Sequence, residues 1–351
     1  MEGRALSTGG GQDAPLRASF VMPVLNEEHY VEAAVASVLA QEGLDERELL
    51  LVLGASTDST DEVVAALAER HGEIRVLRNP RNAIPQSMNI GIAEARFPVV
   101  VRVDAHSVLP EGYAATALRS LRAVGAVNLG GRMHAEGRTP YEQAVAWGYN
   151  SPAGLGGAVY HTGGEAGPAE SAYLGVFDRE AVLAIGGFDE SLSRGEDWDL
   201  NRRLMARGGL VWFEPALDVV YRPRSSVRAL AKQFHASGRW RGEIIRRLGG
   251  RVPVRYFVPP TLLVALAGGA LMVIAGAIGG GVVGSLFAAI GLAPAAVYGL
   301  WVLATAARAR VAGPVKLRLL GVLPTMHMSW GAGCLLGILV PSRGHNAFAG
   351  R

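Results

Sequence analysis

Near its hundredth residue the chain reads VVVRVDAHSVLP, in which four valines are broken by Arg102 and followed by Asp104 and His106. A carboxylate and an imidazole at alternate positions after an apolar strand can both ligate a divalent cation. Carboxylate oxygen suits Mg2+, and the imidazole nitrogen tilts the preference toward Mn2+. A plainer reading stands beside this one: Asp104 caps a helix that begins near Pro110, and His106 bonds locally. The second chemical stretch is GEDWDL, where Glu196 and Asp197 open a helix. The helix dipole favours their ionised forms, and mutual repulsion raises the pKa of one of them. The alternative there is a capped helix end without chemistry.

A β-α alternation must position these residues. ASFVMPVL reads as a strand, NEEHYVEAAVASVLAQ as a helix with Val31, Val35, Val38 and Leu39 on one side, and ELLLVLG as a second strand. STDSTDEVVAALAERHG is a capped helix, EIRVLR a third strand, IPQSMNIGIAEA a helix, and FPVVVRVDAH a fourth strand. The expected class is α/β, a mostly parallel sheet with helices on both faces. Ligands of such sheets bind beyond the carboxyl ends of the strands. That rim collects Pro23, Asn26 and Glu27 after the first strand, Ser56 to Asp58 after the second, and Asp104 and His106 after the fourth.

After Gly125 the rhythm is irregular. TPYEQAVAWGYN reads as a helix, residues 151–168 as a glycine-rich loop, ESAYLGVFDREAVLAIGGFDE as a strand, a turn and a short helix, and LVWFEPALDVVYRP as two short strands. His161, Glu165 and Glu170 lie in or beside the glycine-rich stretch, which is either a lid that lets backbone approach a ligand or a surface loop.

The 351-residue chain carries a net charge of +3, but its cations cluster. No Asp, Glu, Lys or Arg occurs from Phe257 to Ala307, enough for two spanning helices of about 20 residues each, broken near Gly279 to Gly281. Leu319 to Val340 offers a third. Arg239, Arg241, Arg246, Arg247, Arg251 and Arg255 precede the first of these, and Arg308, Arg310, Lys316 and Arg318 separate the second from the third. The positive-inside tendency places the first 256 residues and the 305–318 loop in the cytosol, with the C-terminus outside, in the cytoplasmic membrane. Arginines beside a spanning helix point to anionic lipid and away from nucleic acid. The single cysteine, Cys334, excludes an internal disulfide and a cysteine metal site. Residues 1–16 read as a tail without a signal-peptide core.

Taken together, PVLNEE at 23–28, STDST at 56–60, RVDAH at 102–106, GGFDE at 186–190 and GEDWDL at 195–200 resemble the family 2 glycosyltransferases of GT-A fold. The narrower resemblance is to membrane-bound enzymes that build bacterial exopolysaccharides such as succinoglycan. It implies a nucleotide-sugar donor, a lipid-linked or glycan acceptor, and inverting transfer of a hexose. Asp104, with His106 in the place of a usual second aspartate, would hold the divalent cation, Mn2+ or Mg2+. Asp197 would be the base for the acceptor hydroxyl, with Glu196 in support. Pro23, Asn26, Glu27, Ser56, Asp58 and Arg102 would face the donor.

Two departures from that family stand out. Leu53 and Gly54 occupy the positions where an aspartate commonly holds the nucleotide base. The processive pattern Gln-x-x-Arg-Trp is present with the wrong gap, so Arg239 and Trp240 either touch donor or acceptor or anchor the chain at the membrane border. The expected organisation is a tail over 1–16, a GT-A domain over 17–235, a basic interfacial segment over 236–256, and a membrane region over 257–351 with spans near 257–278, 282–304 and 319–340. A degenerate membrane scaffold is the rival reading. A dinucleotide oxidoreductase is disfavoured because PVLNEE stands where a glycine fingerprint would follow the first strand.

Overall fold

A computed structural model describes residues 14–340 apart from 172, 193, 248, 250 and 251. Residues 1–13 of the expected tail and Arg251 of the basic cluster lie outside the described residues. Contacts divide the described chain into two units, 14–134 with 159–221 and 135–158 with 222–340.

The first unit is built on strands β1 (Arg17–Val24), β2 (Glu46–Leu53), β3 (Ile74–Arg78), β4 (Val99–Arg102), β5 (Asn128–Ala135), β6 (Gly167–Pro168), β7 (Tyr173–Asp178) and β8 (Val211–Tyr221). They form one sheet in the order β3-β2-β1-β4-β7-β5-β8-β6. The β3 to β4 half is parallel, and β7 runs antiparallel to both β4 and β5. Alternation along β1 divides the core: Phe20, Met22 and Val24 face one side and Val21 the other. The first side is covered by α1 (Val31–Leu39), α2 (Thr60–Arg70) and α4 (Tyr113–Val124). The second is covered by α3 (Ile84–Glu94), α8 (Arg179–Ala184) and α9 (Glu196–Ala206).

The expected sheet with helices on both faces is therefore present. Two local readings are corrected. The stretch 151–168 is not all loop: it holds the one-turn helices α6 (Pro152–Leu155) and α7 (Val159–Thr162), then β6. The stretch 211–221 is one strand, which runs through Pro215.

The second unit contains α5 (Pro140–Tyr149), α6, α10 (Val227–Arg247), a 3-10 turn (Val254–Phe257), α11 (Val258–Gly279), α12 (Gly281–Arg308) and α13 (Gly313–Leu339). The helix α10 runs unbroken through the boundary expected at 235/236. The loop expected over 305–318 shrinks to residues 309–312, which places Lys316 and Arg318 in the opening turns of α13. Gly280 and Gly281, both at φ 62°, make the hairpin turn between α11 and α12. Along that hairpin a Cβ on Gly269 would strike the carbonyl of Gly291, and one on Gly276 the carbonyl of Gly284. A second seam joins α10 to α13, where Gly238 and Gly242 meet the backbone of Trp330 and Cys334, and Gly333 and Gly337 meet that of His235 and Arg239. Small residues four apart on both helices allow this backbone approach.

Candidate active site

The strand-end rim of the first unit is laced by its own side chains. Asn26 takes a left-handed backbone at φ 54°, which ends β1 and delays α1 to Val31. Its N–H donates to Ser56 Oγ at 3.2 Å, and its Oδ1 accepts from the N–H of Thr57 at 2.8 Å. Asp58 accepts from the Thr60 hydroxyl at 2.6 Å and from the N–H groups of Thr60 and Glu28. Burial raises the Asp58 carboxyl, but these hydrogen bonds outweigh it and hold it below its ordinary value. Asn26, Ser56 and Asp58 thus join the loops after β1 and β2, and Asp58 ties that network to Thr60 at the start of α2.

Leu53 is buried in the core beneath this rim. Gly54 is closed in by Asn82 and Leu25, which a Cβ would meet at 2.8 and 2.9 Å. Asn82 Oδ1 also accepts from the N–H of Ala55 at 2.6 Å. The positions where the family pattern would put an acid are therefore filled by packing.

A depression beside β4 is lined by Pro23, Leu25, Glu27, Ile84, Asp104, Ala105 and His106. His106 Nδ1 stands 3.3 Å from Oε1 of the buried Glu27. Glu27 in turn is fixed through its N–H, which donates to Thr60 Oγ1 at 2.8 Å. Among the described residues no three carboxylate, imidazole or thiol groups converge as a closed metal cage. Asp104 and His106 both line this depression, so two protein groups would face a divalent cation there and a ligand's phosphate oxygens would have to supply the rest of its shell.

The centre of the site is Arg102, 7% exposed at the end of β4. Its Nε lies 3.2 Å from Asp104 Oδ1, and its Nη1 lies 2.6 Å from Asp197 Oδ1 and 3.5 Å from Glu196 Oε1. The two acidic motifs, separated by more than ninety residues of chain, meet on one guanidinium. Burial lowers the Arg102 pKa, but the charges of Asp197, Asp104 and Glu196 raise it well above the ordinary value. Burial first, and then the charge of Asp197, push Glu196 up to about 7 against the pull of Arg102. Asp197 is raised by burial and opposed by Arg102; at 40% exposed, against 10% for Glu196, its carboxylate keeps access to solvent. The two carboxyls titrate as one coupled pair, each pushed up by burial and each opposed by Arg102.

The supports of this centre were less visible in sequence. Gly195, at φ 71°, turns the chain into α9 and sets both acids in its first turn. Asn89 grips the GGFDE turn from both sides, accepting from the Phe188 N–H at 2.7 Å and donating to the Phe188 carbonyl at 2.9 Å. Buried Asn128 on β5 donates to Asn201 on α9. Tyr173, at the start of β7, bonds to Ser107; burial and the charge of Asp104 raise its phenol. Only the polar residue types amid apolar ones signalled these roles.

His161 is buried, and that burial pushes its imidazole down to about 3, so it is neutral. Arg239 and Trp240 belong to α10 in the second unit.

Residues 19–182 match the family described as Glycosyl transferase family 2. The succinoglycan biosynthesis protein ExoA of Rhizobium meliloti is 31% identical over 257 residues, which cover 72% of this chain and 77% of that protein. A dolichyl N-acetyl-alpha-D-glucosaminyl phosphate 3-beta-D-2,3-diacetamido-2,3-dideoxy-beta-D-glucuronosyltransferase of Methanococcus voltae is 23% identical over 238 residues, 65% of this chain and 74% of that one. Among solved structures, the mannosyltransferase PcManGT of Pyrobaculum calidifontis, in complex with GDP-Man and Mn2+, superposes with a TM-score of 0.58 at 17% identity, over 93% of this chain and 88% of that one. That likeness is one of fold.

Proposed function

The chain belongs to glycosyl transferase family 2, and from that premise we propose that it moves a hexose, with inversion, from a nucleotide-sugar donor to a lipid-linked or growing glycan acceptor at the cytosolic face of the cell membrane. One observation carries the reading: Arg102 holds Asp104 and Asp197, the acids to which the family pattern gives the cation and the acceptor's proton, within one buried network. An inverting displacement needs those two functions on opposite sides of the anomeric carbon. The acceptor hydroxyl attacks that carbon, Asp197 takes its proton, and the nucleoside diphosphate departs with the bonding electrons. A divalent cation bound at Asp104 and His106 would neutralise the diphosphate and make it a better leaving group. Glu196, less exposed than Asp197 and beside it in the first turn of α9, supports the base. The intact network favours transfer over a scaffold role.

The relatives support the substrate classes: ExoA is named for succinoglycan biosynthesis, and the Methanococcus voltae protein for transfer to a dolichyl-linked sugar. Three helices long and apolar enough to cross a membrane support the location, and the arginines that flank α11 support the cytosolic side.

The test is Asp197→Asn, which keeps shape but cannot accept a proton. Transfer from nucleotide sugar in the presence of Mn2+ should fall roughly 10²- to 10⁴-fold, with donor affinity unchanged. Normal transfer by this variant would remove Asp197 as the base, and lost donor binding would make its role structural.

A further inference from the structure

By length and composition α13 is a third membrane span, but its surroundings differ from those of the other two helices. The hairpin α11–α12 shows apolar side chains outward along its length, among them Leu271, Ile278, Val282, Leu286 and Val297. On α13, no residue from Val322 to Ile338 is exposed.

Part of that cover is α10, which runs in the same direction as α13: His235 meets Gly333, Arg239 meets Gly337, and Gly242 meets Cys334 and Ile338. The last turns of α10 carry Arg239, Arg241, Glu243, Arg246 and Arg247 beside the last turns of α13. Buried Glu243 is paired with Arg247 at 2.7 Å and with Arg246 at 3.5 Å. A charged side chain at the bilayer centre costs about 2.5–3.5 kcal/mol on insertion scales. The end of α13 is therefore held at the level of headgroups or water. Its beginning stands there too, with Lys316 and Arg318 in its opening turns after Arg308 and Arg310.

The middle of α13 meets the hairpin at its mouth, beside contacts to α5 and α6. Gly331 packs against Pro259 and Pro260, where α11 starts. His327 Nε2 donates to the carbonyl of Ala153 on α6 at 2.9 Å, and its Nδ1, 2.9 Å away, accepts from the Tyr298 hydroxyl. The register of Gly269 with Gly291 and Gly276 with Gly284 puts Tyr298 beside the first turn of α11. Both ends and the middle of α13 thus share one depth, that at which α11 begins.

We propose that only the α11–α12 hairpin enters the hydrocarbon, while α10 and α13 lie together among phospholipid headgroups on the side from which the chain entered. The 22 residues of α11 span about 33 Å at 1.5 Å per residue, enough for a core of about 30 Å. The border is marked by Arg241, whose guanidinium sits 4.5 Å from the ring centre of Trp240 and 4.1 Å from that of Tyr256; such residues collect at membrane interfaces. The three crossings expected from hydropathy become two, and the C-terminus returns to the side of α10. Arg239 and Trp240 then act as interfacial anchors.

Single cysteines read this directly, because the one native cysteine, Cys334, is buried and the unmodified chain serves as the blank. Arg228→Cys on α10, Val282→Cys at the hairpin tip and a cysteine appended after Arg351 would each be exposed to a membrane-impermeant maleimide in sealed vesicles of known orientation. The appended cysteine should label from the same face as Arg228→Cys, and Val282→Cys from the opposite face. Labelling of the appended cysteine from any other face, or from none, would overturn the assignment of α13. Labelling of Val282→Cys from the Arg228 face, or only after detergent, would overturn the hairpin crossing.

Discussion

Arg102 donates to Asp197 at 2.6 Å while its Nε stands 3.2 Å from Asp104, so one guanidinium sets the separation of the two carboxylates that the proposed mechanism uses. A lysine in its place would keep the charge but supply a single point donor, unable to hold both acids at once. Arg102→Lys should keep the fold and lose most transfer. Arg102→Met should go further, destabilising the first unit by about 3–5 kcal/mol, the usual cost of breaking a buried pair from one side. Adding Glu196→Gln should restore part of that stability by removing one of the stranded acids. Unfolding midpoints of the three proteins check this ranking, and equal midpoints for Arg102→Met and the unaltered chain would refute the clamp.

The raised pKa of Glu196 makes stability depend on pH in a definite direction. Between the ordinary value of 4.5 and about 7, the folded chain holds a proton that the unfolded chain has released. The slope is therefore negative: the stability associated with this group is full below 4.5 and is lost as pH rises to about 7. Glu196→Gln, always neutral, should match the unaltered protein at the acid end and be more stable above neutrality, by about 1–3 kcal/mol. Thermal scans across that range measure the gap. A gap of constant size would mean that Glu196 does not titrate there.

Asp104→Asn should abolish cation-dependent donor binding, because the carboxylate proposed to hold the cation loses its charge. His106→Asp should keep activity and shift the preferred ion from Mn2+ toward Mg2+, which favours oxygen ligands. Donor binding titrated with each ion reads both effects. His106→Ala with unaltered ion preference would leave His106 as no more than a partner of Glu27.

The seam between α10 and α13 predicts a contrast between two glycines on one helix. A side chain at Gly333 would strike the carbonyl of His235, whereas a Cβ on Gly321 meets nothing within 4 Å. Gly333→Val should cost about 1–3 kcal/mol through overpacking, or prevent accumulation of the protein. Gly321→Ala should be neutral or stabilising by up to about 1 kcal/mol. Thermal stability in detergent distinguishes the pair, and equal tolerance at the two sites would argue against close contact of the helices.

The sequence was sufficient for whatever depends on local pattern. Short apolar runs gave β1 to β4, their alternation with amphipathic stretches gave the parallel half of the sheet, and a charge-free run of some fifty residues gave two helices long and apolar enough to cross a membrane. It also found Asp104, Glu196 and Asp197, because acids at a strand end or a helix start are conspicuous against an apolar background. It could not show that Asp58 accepts from the Glu28 N–H, that Gly54 is closed by Asn82, or that His106 turns to Glu27, since each partner lies on a separate segment.

Tertiary structure alone decided the rest. Arg102 entered only through the family resemblance, as a residue facing the donor, because a lone arginine in a strand says nothing of its partners; folding brings residues 102 and 197 together on one guanidinium. The surroundings of α13 show the same limit. Hydropathy measures how apolar a segment is, and a helix sheathed by α10 and its neighbours is as apolar as one sheathed by lipid. Which of the two surrounds it depends on backbone contacts at Gly238, Gly242, Gly333 and Gly337, which form only when segments about ninety residues apart pack against each other.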